Sequence, residues 1–248
     1  MDFTGKVALV TGGGRGIGRA TALALARGGA DVLVNYLENH NSANEVVKEI
    51  QAMGRKAVAV QANVGNQSEV TGMFQQLDQA LGKIDILINN AGTGVPIPLE
   101  EITIDFWNNI LKVDLTGPFL CAQAAVARMI PKKYGRIVNV SSIGGVQGIP
   151  IDPSYSAAKA GLLGFTKSIA RGLGKHNITV NAVSPGPIDT ELNRKLPEEM
   201  RQHVADSSAL GYIGNPEDVA DAILFFASDY SRHVTGQMIL VDGGIAMP

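Results

Sequence analysis

Val7-Ala8-Leu9-Val10-Thr11-Gly12-Gly13-Gly14-Arg15-Gly16-Ile17-Gly18 decides how this chain folds. Its four apolar residues, two of them β-branched, read as a short buried strand. The glycines that follow permit a tight reversal and let the backbone come close to a neighbour. A helical pattern over about 16–29 comes next. A strand, a glycine turn and a helix N-terminus in that order make an anion-binding element, because the first amides of a helix have no partner within it. A glycine cluster elsewhere is only a tight turn; this context gives it the second meaning.

Working outward, apolar runs at 32–34, 57–60, 84–88, 136–140, 179–183 and 238–241 repeat the strand signal. They are rich in Val and Ile and nearly continuous, which fits strands buried on both faces of a parallel sheet. Helical stretches lie between them at roughly 41–53, 67–81, 103–130, 154–174 and 216–228. Asn215-Pro216-Glu217-Asp218 is a helix start, with Asn215 as N-cap and Pro216 in the first helical position. The alternation predicts an α/β fold, a doubly wound parallel sheet of about seven strands flanked by helices. With no linker, repeat or low-complexity tract, residues 1–248 read as a single domain. The least regular segment, about 186–214, follows a strand and reads as a lid over a site.

Composition bounds the function. Hydrophobic residues make up 45% of 248, ample for a large core, and the net charge of −2 argues against a nucleic-acid binder working through bulk charge. The single cysteine, Cys121, excludes an internal disulfide, fits a reducing, cytoplasmic setting, and sits in an apolar helical run as a core filler. The N-terminus lacks a leader pattern, and no uninterrupted apolar run is long enough to predict a membrane span. No metal ligands are assigned.

Tyr155-Ser156-Ala157-Ala158-Lys159 is the second chemical feature. Residues four apart on a helix share a face. A phenol, with an ordinary pKa near ~10, is a weak acid and base at neutral pH, and a lysine cation beside it favours the phenolate. Ser142, thirteen residues earlier, adds a hydroxyl able to bond a substrate oxygen. The set suits proton transfer to or from a carbonyl/alcohol pair. Alone, Tyr-x-x-x-Lys is common in helices, and an exposed lysine beside a half-buried tyrosine is its ordinary meaning.

Five patterns in order carry a resemblance over nearly the whole chain: Thr11-Gly12-x-x-x-Gly16-x-Gly18, Asn89-Asn90-Ala91-Gly92, Ser142 with Tyr155 and Lys159, Pro185-Gly186, and Val241-Asp242-Gly243-Gly244. Together they resemble the short-chain dehydrogenase/reductase family. The resemblance implies a Rossmann-type fold, a nicotinamide cofactor, hydride transfer to or from a carbonyl or alcohol, and a homotetramer. It makes Tyr155 the general acid for reduction and base for oxidation. Lys159 then tunes Tyr155 and binds the nicotinamide ribose, and Ser142, rather than its neighbour Ser141, bonds the reacting oxygen. Gly12, Arg15, Ile17 and Gly18 fall on the pyrophosphate and adenosine side, with Asn35 and Tyr36 at the end of the second strand. Asn63-Val64 falls near the adenine, Asn89, Ala91 and Gly92 along the ribose path, and Pro185, Gly186, Ile188 and Thr190 around the nicotinamide.

Val113-Asp114-Leu115-Thr116-Gly117 departs from the family, which usually has Asn where Asp114 stands. There the Asn main-chain carbonyl holds a water linking the lysine to solvent. Asp114 is therefore either a tolerated fourth catalytic residue that adds charge near Lys159, or a helix-bend residue turned away from the site. Tyr36, where NAD-preferring relatives carry Asp, and Arg15 in the glycine turn favour NADP(H), while Glu38 opposes a phosphate and keeps NAD(H) open. The overall pattern is closest to 3-oxoacyl-acyl-carrier-protein reductases, with the carrier protein as a partner. However, Val34-Asn35-Tyr36 and Gly211-Tyr212-Ile213-Gly214-Asn215-Pro216-Glu217 also resemble bacterial glucose 1-dehydrogenases. The pocket residues Gly144, Val146, Gln147, Ile149, Ile151 and Asp152 are mainly aliphatic. They lean toward an oxoacyl or small-ketone substrate, with Gln147 and Asp152 as its polar groups, either against the substrate or on a solvated loop. A nucleotide-binding protein without chemistry is the reading from another class; retention of Ser142, Tyr155 and Lys159 speaks against it.

Overall fold

The computed structural model describes residues 1–191 and 198–247. Among these, seven strands form one parallel sheet: β1 Val7–Val10, β2 Asp31–Tyr36, β3 Ala57–Gln61, β4 Ile86–Asn89, β5 Gly135–Val140, β6 Ile178–Pro185 and β7 Met238–Val241. Their order is β3-β2-β1-β4-β5-β6-β7. Alternate strand residues enter opposite cores, as the period of two requires. Ala8, Val10, Val32, Val34, Ile86, Ile88, Val138 and Val140 pack with α1 (Gly16–Arg27), α2 (His40–Ala52) and α9 (Pro216–Ala227). Leu9, Leu33, Leu87, Ile137 and Val180 face the other way, toward α3 (Gln67–Leu81), α5 (Gly117–Met129) and α7 (Pro153–Leu173). Full burial of each such side chain is worth about 1.5–3 kcal/mol, so the alternation holds the register firmly. The chain runs outward to β3 and returns to β4 on the far side of β1. That reversal opens a crevice at the carboxyl ends of β1 and β4, where this architecture places ligands.

The helix expected over 103–130 is continuous but not uniform. It comprises α4 (Ile104–Leu111), a π-turn at Lys112–Thr116, α5, and a closing 3-10 turn at Ile130–Lys132. By length and composition Ile104–Lys132 could cross a membrane, although no uninterrupted apolar run predicted that. Its buried residues Leu120, Cys121, Ala125 and Met129 instead pack into the core beside α3. The segment 186–214 is more regular than expected, since it contains α8 (Glu198–Asp206); positions 192–197 of that expected lid lie outside the described residues. Its ends are joined by a bridge between Ile188 and Gly214, and Arg201 pairs with Asp189 at 3.2 Å. The predicted start of α9 is present: Asn215 N–H donates to Asp218 Oδ2 at 2.7 Å, and Pro216 opens the helix. A further short helix, α6 (Gly144–Gln147), follows β5.

Candidate active site

The glycine turn is pinned from three sides. Thr11 Oγ1 accepts the N–H groups of Asn90 (2.9 Å) and Ala91 (3.0 Å). Asn90 Nδ2 donates to the Thr11 carbonyl at 2.9 Å. Asn35 Oδ1 accepts from Gly12 N–H at 3.3 Å. Gly12 and Gly16 have φ of +62° and +51°, a region that favours glycine, and a Cβ on Gly18 would fall onto the Gly12 carbonyl. Behind this turn, the N-terminus of α1 has neither a side-chain cap nor an acidic residue in its first turn, so its amides stay open to an anion. This cradle fits the pyrophosphate of a dinucleotide. Arg15 is exposed at its rim, and Thr190 crosses from the β6 side to within 3.3 Å of where a Gly16 Cβ would stand. Pro185 accepts from Ile143 N–H at 2.9 Å and Gly186 N–H donates to Val241 at 2.9 Å, which ties the β6 end to its neighbours. The Ile188 side chain beyond them is buried.

Other residues assigned to the cofactor are placed less directly. Asn35 is buried, and its Nδ2 donates to the carbonyls of Val60 (3.3 Å) and Ala62 (3.0 Å), so it stands behind the turn. Asn89 also turns inward; its Nδ2 donates to Asn139 Oδ1 at 2.9 Å, and Asn139 in turn donates to Thr166. Tyr36 is largely buried, with its hydroxyl 2.6 Å from His40 Nδ1, while His40 Nε2 meets Asn44 Nδ2 at 2.7 Å. Asn63 Oδ1 accepts from Gly65 N–H at 2.9 Å, its amide nitrogen has no partner among the described residues, and Val64 is buried where a Gly117 Cβ would collide with it. His40, Asn44, Asn90 and Asn139 are absent from the sequence-derived site. Of these, only Asn90 had a legible signal, in its place within the Asn89–Gly92 motif.

The residues expected to be catalytic cluster on the β4–β5 side. Lys159 is buried beneath Tyr155, with Nζ 5.3 Å from the centroid of the tyrosine ring. Nζ donates to the Val140 carbonyl at 3.0 Å and lies 3.0 Å from Asp114 Oδ1. Asp114 sits in the π-turn and is fully buried; its Oδ2 accepts Thr93 N–H at 2.9 Å. It is thus a bend residue, as one expectation held, but turned into the site and not away from it. A π-turn widens the helix by one residue and re-aims the side chains within it. Burial works against the Lys159 ammonium, yet the charges of Asp114 and Tyr155 outweigh it and hold its pKa above the ordinary lysine value. Gly92 permits this packing, since a Cβ there would lie 2.7 Å from Asp114 Oδ1.

Ser142 and Ser141 have separate places. Ser141 Oγ donates to the Lys159 carbonyl at 3.0 Å, a structural tie. Ser142 Oγ accepts Gly144 N–H at 3.0 Å, which leaves its own proton available to a substrate oxygen. Gln147 is exposed at the end of α6. Asp152, for which the sequence leaves pocket and solvated loop both open, is 6% exposed and caps α7 through Tyr155 N–H at 3.3 Å. Cys121 is buried and burial pushes its thiol up to about 12, as suits a core filler.

Known proteins resemble this chain along nearly its whole length. Residues 12–246 match a family model described as enoyl-(acyl carrier protein) reductase. A 3-oxoacyl-[acyl-carrier-protein] reductase from Synechocystis sp. is 44% identical over 246 residues, covering 99% of this chain and 98% of that protein. A protein of the same description from Thermotoga maritima is 40% identical over 247 residues, with both chains fully covered. The structure of a putative gluconate dehydrogenase from Agrobacterium tumefaciens superposes with a TM-score of 0.94 at 34% identity, over 98% of this chain and 97% of that one. With the glycine cradle, the Tyr155–Lys159 helix and these relatives in agreement, the chain belongs to the short-chain dehydrogenase/reductase family and is an oxidoreductase acting on CH–OH/C=O groups with a nicotinamide cofactor.

Proposed function

We propose that the enzyme is an NADP-dependent reductase of 3-oxoacyl thioesters or small ketones, with an acyl carrier protein as the carrier of its substrate. The observation that carries this reading is the buried Lys159 ammonium, held by Asp114 and the Val140 carbonyl directly beneath the Tyr155 ring. The cofactor supplies the hydride. Tyr155 donates the proton to the carbonyl oxygen, and Ser142 hydrogen-bonds that oxygen as charge develops on it. Lys159 keeps a positive charge beside the phenol throughout and uses its remaining N–H toward the nicotinamide ribose. Tyr36 in place of a carboxylate at the end of β2, together with the exposed Arg15, supports a 2′-phosphate. The segment 186–214 acts as a lid over the substrate of this single domain, which works in the cytoplasm. A groove of about 400 Å³ between α5 and α7, lined by Phe119, Val126, Phe165, Ile169 and Leu173, supports assembly as a homotetramer through these helices.

Oxidation of NADPH by the purified enzyme with acetoacetyl thioesters and with simple ketones tests the reading. If neither substrate class is reduced, it fails. A second reading, a sugar or polyol dehydrogenase, is favoured by one observation: a carboxylate, Asp152, beside Tyr155. Oxidation of glucose or gluconate at a rate comparable to ketone reduction would establish it.

A further inference from the structure

Asp152 holds more capacity than its structural role uses. Its Oδ1 caps α7 through Tyr155 N–H at 3.3 Å. An N-cap needs one oxygen, and Ser or Asn serves about as well. A carboxylate is the costliest choice here, because the residue is 6% exposed and a buried charge requires compensation. Burial raises its pKa, and the charge of Asp114 raises it further, against the Tyr155 N–H that lowers it. No lysine or arginine pairs with it among the described residues.

The second oxygen, Oδ2, accepts no hydrogen bond among the described residues, yet it is not sealed in the interior with the unpartnered buried atoms. With Oδ1 bonded to Tyr155 N–H, Oδ2 lies toward Gly94. A Cβ at Gly94 would lie 3.3 Å from Asp152 Oδ2 and 3.3 Å from the Cδ2 edge of Tyr155. The oxygen and the edge of the phenol ring therefore both lie against Gly94, whose lack of a side chain spares them a contact tighter than ordinary packing.

We propose that Asp152 Oδ2 accepts a hydrogen bond from a substrate hydroxyl close to the reacting carbon, so that the same site has a further activity on hydroxylated ketones and the matching polyols. In the reducing direction, hydride from the nicotinamide cofactor adds to the carbonyl carbon and the C=O π bond opens. The proton on Tyr155 passes to the oxygen, and a diol and the oxidised cofactor leave. Asp152 takes no part in the electron flow; it orients the second hydroxyl. A buried site that bonds a hydroxyl discriminates strongly against an analogue lacking it, because the site's polar group is then left unpaired.

The proposal rests on the Tyr155 site being the place of hydride transfer, and the test separates the two. Steady-state rates with NADPH are compared for 2-butanone, 1-hydroxy-2-butanone and 4-hydroxy-2-butanone in the wild type, Asp152→Ser, Asp152→Asn and Tyr155→Phe. Asp152→Ser keeps a capping oxygen and removes Oδ2. It is expected to lower the ratio of kcat/KM for the better hydroxyketone to that for 2-butanone by about ten- to a hundredfold, the range for one hydrogen bond to a charged group. Asp152→Asn, which keeps shape and cap, is expected to give a smaller loss of the same ratio and serves if the serine variant does not fold. A ratio unchanged within about threefold in both variants, or a parallel fall for all three ketones, overturns the role of Asp152. Retained turnover in Tyr155→Phe overturns the reading of the site itself.

Discussion

Replacing Asp114 by Asn removes one charge from the buried pair at 3.0 Å and leaves a single acceptor oxygen where the carboxylate faces two donors, Lys159 Nζ and Thr93 N–H. At an effective dielectric constant of about 20, two unit charges at that separation attract by about 5–6 kcal/mol before desolvation. Breaking one partner of a buried pair typically costs about 3–5 kcal/mol. An Asn carbonyl turned toward Lys159 keeps part of the attraction but sets its own NH2 against Thr93 N–H, so about 3 kcal/mol is the expected loss of stability. For a domain of this size that lowers Tm by roughly 5–10 °C. The pH dependence changes sign as well. In the wild type, Asp114 holds the folded pKa of Lys159 above its unfolded value. The pair's contribution is therefore complete below the unfolded pKa and is lost as pH rises through the folded one. In Asp114→Asn, burial, the largest influence, governs; the folded pKa drops, and stability instead rises with pH between the two values. Activity at neutral pH persists, but the alkaline limb of kcat/KM moves to lower pH as Lys159 loses its proton earlier. Rate profiles from pH 6 to 10 and thermal scans at pH 7 and 9 read both effects. A profile superimposable on the wild type would falsify the electrostatic role of Asp114.

Tyr155→Phe is expected to lose turnover by at least ~100-fold while NADPH fluorescence titration still reports binding, since only the proton donor is removed. Arg15→Ala should raise the KM for NADPH several-fold and leave that for NADH nearly unchanged; equal changes would remove Arg15 from phosphate recognition. Gly18→Ala places a Cβ on the Gly12 carbonyl, so it should abolish cofactor binding and depress Tm together. Phe119→Asp puts a charge into the groove between α5 and α7; light scattering should show a species smaller than the wild type, and an unchanged mass would place the interface elsewhere.

The parts of the site that were legible are those where backbone geometry demands a residue type. Gly12 and Gly16 adopt positive φ, and Gly18 faces a carbonyl with no room for a Cβ, so glycine at these positions announces the turn. The spacing of Tyr155 and Lys159 was legible for a similar reason, because helical period alone puts them on one face. Asn35 and Asn89 show the limit. Both are polar residues at the ends of strands, where a ligand contact and an internal bond leave the same trace, and both side chains turned inward. Asp152 reads in the sequence as a pocket or loop residue, and its capping of α7 and its burial against Gly94, from the loop after β4, are tertiary facts with no local pattern. The direction of Asp114 was hidden by the π-turn, a one-residue shift in backbone bonding that hydrophobic periodicity over 103–130 does not reveal.

That π-turn gives the departure from the family a physical meaning. The usual Asn is said to act through its main chain, yet here the side chain itself reaches Lys159. An ammonium has three N–H donors. Val140 takes one, Asp114 faces a second, and the third has no acceptor among the described residues. The other carboxylate oxygen of Asp114 holds Thr93 N–H, in the loop that begins with Asn89 and Ala91 and ends at Gly94. One buried anion thereby links the lysine to the loop that borders both the cofactor cradle and the space beside Asp152. A substitution that loosens this anion should disturb lysine charge, cofactor loop and substrate orientation together, whereas one at Ser142 should disturb only the reacting oxygen. Asp114→Asn and Ser142→Ala compared across NADPH binding and ketone turnover distinguish these patterns: the first is expected to change both, and the second turnover alone.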